Sequence, residues 1–372
     1  MPKIPENASL VINRLMENGY EAYIVGGCVR DSLLGLECFD FDITTSAKPE
    51  KVIELFEKTV PTGIKHGTVT VIIENEPIEV TTFRTEGAYN DSRHPENVEF
   101  VSDLKEDLSR RDFTVNAIAY NEKAGIIDLF GGVSDLENKI LRAVGDPDKR
   151  FREDALRILR LFRFASQLDF KIEENTLKSA LELKDGLKNI SRERIFAELQ
   201  RSVNGKKPKA LLPLINSGAL EFLGITGKPD LSVSSLSPDL RLWGLIKSSE
   251  NPVLVLKNLK ASNRQIANAQ NFIKLSGLEI DTKEDIKNAL FLTDEQTVRA
   301  FFEYYKKDTA KLNEIIENNE PYLISHLAVT GEDLKELGFF GKEIGEKLEA
   351  LRQEVVKDPQ KNEKLVLLRL TK

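Results

Sequence analysis

Asp40 and Asp42 stand two residues apart in Phe39-Asp40-Phe41-Asp42-Ile43, shortly after the run Val25-Gly26-Gly27-Cys28-Val29-Arg30-Asp31. Residues i and i+2 of a β-strand share a face, so both carboxylates would project together while Phe39, Phe41 and Ile43 turn into a core. Two anionic oxygen donors on one face suit a Mg2+ ion that also holds substrate phosphates. Gly26-Gly27 offers backbone that a phosphate can approach closely, since no side chain intervenes. Taken singly, either motif is better explained as a turn or a solvated strand face. Together, within one strand–turn–helix–strand unit, they point to nucleotidyl transfer.

The surrounding pattern predicts a small α/β domain that positions these residues. A helix is expected over Leu10–Asn18, a strand over Tyr20–Val25 ending at the glycines, and a helix from Arg30 to Leu34. The metal-bearing strand follows at Phe39–Thr44, then a helix at Lys48–Phe56 with Pro49 in its first turn. Strands are expected at Thr68–Ile73 and Ile78–Arg84, joined by a turn at Asn75-Glu76. The domain should end near Gly145. Beyond Asp146 the texture is helical, with segments at Glu153–Gln167, Glu173–Leu183, Arg192–Val203 and Lys209–Ser217 and no further strand. Lys228–Ser237 reads as a loop, and the charged last hundred residues read as solvated helix faces.

A second constellation lies at Arg110-Arg111-Asp112-Phe113-Thr114-Val115-Asn116-Ala117, expected to open a helix after Leu108. Arg111 near a helix start would meet a triphosphate, with Asp112 as a cap; a plain capping network explains the same residues. Asn116 reads as a buried hydrogen-bond anchor, with a nucleotide's sugar as its candidate partner. A third lies at Asp154, Arg157, Arg160 and Arg163, every third residue along an otherwise apolar helix. Three arginines on such a helix do not form an ordinary solvated face. Asp154 and Arg157 would present acceptors and donors side by side to a base edge. A buried Asp–Arg pair tying two helices is an alternative for any one of them, but the whole stripe points to a nucleotide site.

Composition narrows the class. The 372 residues suggest several domains, and 41% hydrophobic with 30% charged residues fits a globular protein. No stretch approaches the about 20 apolar residues of a membrane helix, and the N-terminus lacks a signal-peptide core, so a cytoplasmic protein without membrane partners is expected. Cys28 and Cys38, the two cysteines, offer no disulfide framework and no zinc site. Three scattered histidines, His66, His94 and His326, argue against a histidine-rich metal hydrolase. The net charge of −7 excludes a surface that grips nucleic acid everywhere, though not a local basic track.

Five ordered motifs between residues 26 and 157 carry a resemblance: Gly26-Gly27-x-Val29-Arg30-Asp31, Asp40-x-Asp42, Arg110-Arg111-Asp112-Phe113-Thr114-x-Asn116-Ala117, Asp128-Leu129-Phe130-Gly131-Gly132, and Glu153-Asp154-x-x-Arg157. With them the chain resembles the bacterial CCA-adding enzymes, tRNA nucleotidyltransferases of the polymerase-β-like superfamily that are similar to bacterial poly(A) polymerases. The resemblance extends to Ile190-Ser191-x-Glu193-Arg194 and fades over the last third. It implies a multidomain α/β plus all-α protein: a polymerase-β-like nucleotidyltransferase head with a mixed sheet at 1–145, a helical neck at 146–215, a helical body at 216–272 and a helical, tRNA-binding tail at 273–372. It further implies Mg2+ on Asp40 and Asp42, Glu79 as the third catalytic carboxylate, and triphosphate contacts from Gly27, Arg30 and Arg111. Asp154 and Arg157 would read the incoming base, and Arg160 and Arg163 would complete the pocket or hold phosphate. Asp112 and Asn116 join this nucleotide-binding set. The implied partners are tRNA, CTP and ATP, with the protein a monomer or homodimer.

The segment Thr85–Pro95 occupies the place of the family's flexible loop and favours addition of all three nucleotides. Rival readings are an enzyme adding only CC or only A, a poly(A) polymerase sharing the head, and a catalytically dead RNA-binding module. The intact trio Asp40, Asp42 and Glu79 speaks against the last. The scattered histidines disfavour an attached phosphohydrolase domain. Lys206-Lys207-Pro208-Lys209 and Lys357, Lys361, Lys364 and Arg369 are candidates for tracking the tRNA backbone, or ordinary solubility charges.

Overall fold

In the computed structural model, residues 4–38, 41–86, 98–232 and 236–371 are described. Asp40 and most of the Thr85–Pro95 segment lie outside them. The chain divides into two compact units, Met1–Ser234 with Ser248–Glu250 and Asn258–Lys260, and Ser235–Lys247 with Asn251–Lys257 and Ala261–Lys372.

The first unit opens with α1 (Glu6–Glu17), whose Ala8, Val11, Ile12 and Leu15 are buried while Leu10 faces solvent. Then come β1 (Ala22–Val25), α2 (Gly27–Leu33), β2 (Asp42–Thr45), α3 (Pro49–Leu55), β3 (Thr59–Gly63), β4 (Thr68–Ile73) and β5 (Glu76–Thr82). A short hairpin-like pair, β6 (Arg84–Glu86) and β7 (Val98–Phe100), precedes α4 (Leu104–Ser109), β8 (Ile118–Asn121), β9 (Gly125–Asp128) and α5 (Gly132–Glu137). Seven strands form one mixed sheet in the order β3-β4-β5-β2-β1-β8-β9, with β2 and β5 parallel and the other pairs antiparallel. All four residues of β1 are buried, which is what a central strand covered on both faces requires. The β4–β5 turn is made by Glu74 and Asn75, both in the left-handed region, one residue earlier than the sequence suggested.

Helices follow: β10 (Ile140–Leu141) leads into α6 (Pro147–Glu153), α7 (Leu156–Leu168), β11 (Lys171–Ile172), α8 (Glu174–Glu182) and α9 (Arg192–Val203). The expectation of no strand beyond Asp146 fails at β11, which pairs in parallel with β10. Two other expectations are corrected. Arg110–Ala117 is not a helix: α4 ends at Ser109, and Thr114–Asn116 forms a single 3-10 turn. The Asp112 carboxylate accepts from the Phe113 N–H, and the Thr114 and Val144 N–H groups bond Arg142 and Asp112 carbonyls, so tertiary pairing replaces the helix ladder. The helix expected over Glu153–Gln167 is also broken. Asp154 is extended (φ −142°, ψ 104°) and its carboxylate accepts from the Leu156 N–H at 2.9 Å, opening α7. Asp154 therefore does not share a helix with Arg157, Arg160 and Arg163.

The two cysteines, expected to offer no disulfide framework, are joined as a disulfide, Cα atoms 5.3 Å apart. Nine residues lie between them, enough for the chain to leave α2 and return to its first turn.

The second unit is helical, including Pro238–Ile246, Asn263–Ser276, Lys283–Leu292, Glu295–Tyr305 and Lys342–Lys357. Arg352 is fully buried there. Its guanidinium donates to Glu349 and Asn288 and lies 3.9 Å from the Phe291 ring centroid, so the charge is paired rather than stranded.

Candidate active site

The site is assembled on β2, the turn before α2, the 112–116 turn and α7. In β2, Ile43 is buried and Asp42 faces outward. Its parallel neighbour β5 sets Ile43 level with Val80, so Asp42 and Glu79, one residue earlier in each strand, share the exposed face. Hard oxygen donors so placed fit a magnesium ion. No group of three or more ligating side chains gathers among the described residues, and the expected ligand Asp40 lies outside them.

Gly26 caps α2 with φ +78°, a conformation that favours glycine, and a Cβ there would meet the Arg111 guanidinium at 3.0 Å. That guanidinium thus lies directly beneath the glycine turn. It follows the C-terminal end of α4 rather than opening a helix. Asp107, fully buried, sits 3.7 Å from Arg111 and accepts from Arg110 at 2.8 Å and from the Thr44 hydroxyl at 3.1 Å. Burial alone would raise the Asp107 carboxyl, but Arg110 and Arg111 hold it below the usual range. Burial pushes the Arg111 guanidinium down, against the pull of Asp107.

From the glycine turn a polar chain runs to α7. Arg30 donates to Asp31 and, at 2.6 Å, to the Asn116 carbonyl oxygen. The Asn116 amide donates to Asp112 at 3.0 Å, and Arg160 donates twice to Asp112, at 2.8 and 2.6 Å. Burial would push Asp112 up, yet Arg160 and Asn116 bring it to about 2. The turn that carries Asp112 and Asn116 rests on α5: a Cβ on Gly132 would strike the Thr114 carbonyl at 2.2 Å, and Asp128 accepts from the Gly132 and Val133 N–H groups. The Asp128–Gly132 motif is thus a support for the site, not part of its surface.

Asp154 forms an ion pair with Arg194 at 3.0 Å, and Arg157 pairs with Glu153 at 2.7 Å while donating to the Arg110 carbonyl. Both Asp154 and Arg157 line the cleft, and in this structure each also engages a neighbour. Arg163 lies 3.1 Å from Glu198.

One cavity of about 500 Å3 is lined by Gly27, Arg30, Asp42, Arg111, Asp112, Asn116, Asp154, Arg157, Arg160 and Arg163, all drawn from the sequence reading. Glu79 does not line it. Arg110, Phe164, Gln167 and Arg194 do, and were not among the expected site residues. Of these, Arg194 carried a signal in its own motif, while Phe164 is indistinguishable in sequence from a core aromatic. Seven arginines face three aspartates across the cavity, a surface made for polyanions.

A mixed sheet carrying outward carboxylates beside a glycine turn, with an arginine-lined cleft against the following helices, defines a nucleotidyltransferase. Residues 22–142 match the family described as Poly A polymerase head domain, and residues 169–226 match the one described as "Probable RNA and SrmB- binding site of polymerase A". The chain is 39% identical to the CCA-adding enzyme of Pediococcus pentosaceus, over 99% of this chain and 98% of that protein. It is also 39% identical to the one from Enterococcus faecalis, over 100% and 97%. The crystal structure of the Bacillus stearothermophilus CCA-adding enzyme in complex with CTP superposes with a TM-score of 0.77 at 34% identity, covering 98% of this chain and 96% of that one. The chain belongs to the CCA-adding enzymes, the tRNA nucleotidyltransferases. No helix among the described residues is long and apolar enough to cross a membrane.

Proposed function

We propose that this protein adds CCA to the 3′ end of tRNA from CTP and ATP without a template, releasing pyrophosphate. The observation that carries the reading is that a single cavity runs from Asp42 to Asp154 and Arg157, so a reacting phosphate and a base can be held at once. Its volume falls in the range of small-molecule sites. The tRNA 3′ oxygen attacks the α-phosphorus as the bond to the β-phosphate breaks. Arg30 and Arg111, with the backbone of Gly27, hold the triphosphate. Asp112 and Asn116 fix Arg30 and Arg160 in place and offer the sugar its hydrogen-bond partners. Mg2+ on Asp40 and Asp42, with Glu79 beside them, would steady the developing charge and orient the attacking hydroxyl. Asp154 and Arg157 read the base edge, exchanging their present partners Arg194 and Glu153 for it. Arg160 and Arg163 close the pocket.

The first 145 residues act as head, 146–215 as neck, 216–272 as body and 273–372 as the tail that holds tRNA, in the cytoplasm where tRNA is matured. Incubation of the protein with tRNA lacking its 3′ end, and with each nucleotide in turn, tests this. Sequential incorporation of two cytidines and one adenosine is expected. Long A tracts on any RNA would overturn the tRNA reading, and arrest after two cytidines the full-CCA one.

A further inference from the structure

Three of the cleft's arginines gather on one ring. The guanidinium carbons of Arg163, Arg30 and Arg160 lie 4.0, 5.0 and 5.4 Å from the Phe164 ring centroid. All are within the about 6 Å at which a cation is drawn to an aromatic quadrupole. Arg30 comes from α2, whereas Arg160 and Arg163 come from α7. Phe164 is 5% exposed, and the buried Phe113 meets it edge-on at 5.8 Å, fixing the ring plane.

Three cations so close repel one another, and the carboxylates nearby offset them unevenly. Arg160 has Asp112 and Arg30 has Asp31. Arg163 approaches Glu198 without hydrogen-bond alignment, so its Nε and the Glu198 Oε2 are both buried with no hydrogen-bond partner among the described residues. A ring face differs from a carboxylate in one respect. It supplies negative potential without itself occupying in-plane N–H donors, so those not given to Asp31, Asn116 and Asp112 stay available to phosphate oxygens.

We propose that Phe164 is a positioning residue for the nucleotide: its π face gathers Arg30, Arg160 and Arg163 into one cationic surface that receives the phosphates. The proposal rests on the nucleotidyl-transfer reading above, and its test separates the two. Replacing Phe164 by pentafluorophenylalanine keeps the shape and reverses the quadrupole; Phe164→Leu removes the ring. Both variants should raise KM for CTP and ATP about tenfold, with kcat within about twofold. Both should weaken binding of inorganic tripolyphosphate, followed by calorimetry, by a similar factor. A ring that merely fills space predicts that the fluorinated protein behaves as wild type, and that result would overturn the proposal even if the Leu variant fails to fold. Failure of the wild-type protein to bind tripolyphosphate would overturn it as well. If tripolyphosphate binds as expected but no cytidine or adenosine enters tRNA, the function reading falls while Phe164 is still judged by the binding comparison.

Discussion

The two ends of the cleft are built in opposite ways. At the sheet end, Asp42 stands on an exposed strand face, with Glu79 level with it on the neighbouring strand and outside the cavity lining. At the helical end, Arg30, Arg157 and Arg163 are buried, and each side chain already contacts an acid: Asp31, Glu153 and Glu198. On the proposed reading these carboxylates take an ion from solution, and they lose little by standing in water. A cluster of buried guanidiniums cannot stand alone, because the cost of an unpaired buried charge exceeds what any surface pair returns. On the proposed function, the first end would depend on single groups and the second on a network.

Substitutions at the two ends should therefore fail differently. Asp42→Asn should lower single-turnover nucleotide incorporation on the order of a thousandfold, while the thermal midpoint barely moves; an equal loss of both would erase the contrast. Asp112→Asn should act mainly on folding, costing about 3–5 kcal/mol in urea titration. Because the folded-state carboxyl lies near 2 and the unfolded one near 3.9 (about the ordinary value), its contribution is full above about pH 4 and fades as pH falls through 2. The variant should thus show a flatter acid limb over that window. Arg194→Ala should release Asp154 from its ion pair and reduce discrimination of CTP and ATP against UTP and GTP about tenfold, read from competing-nucleotide incorporation; unchanged selectivity would leave Arg194 a purely structural clamp. Lys178→Ala, at the exposed pair with Glu182, should change neither stability nor rate measurably.

Local signals carried much of the fold. Strand Thr68–Ile73 and helix Arg192–Val203 follow directly from apolar spacing. The two misread helices share one cause. At Arg110–Ala117 and at Asp154, an aspartate side chain bonds a backbone N–H close by and displaces the helix that the apolar pattern favours. Likewise the grouping of cleft residues was readable from motif order, but the pairings of Asp154 with Arg194 and of Arg157 with Glu153 were not. Which acid a guanidinium meets is decided by the fold's long-range geometry. The disulfide escaped notice because two cysteines ten residues apart say nothing about whether the intervening chain doubles back.

The small β10–β11 ladder has a consequence for how such a molecule can be divided. Lys171 and Glu173 N–H groups bond the Lys139 and Leu141 carbonyls at 2.9 and 3.0 Å, so the strand that closes the first 145 residues finds its partner beyond them. A gene fragment cut at that boundary would yield a chain with a bare strand edge at Ile140–Leu141, prone to pair with its own copies. The mixed sheet and the arginine helices should thus be expressed as one piece rather than cut at that boundary.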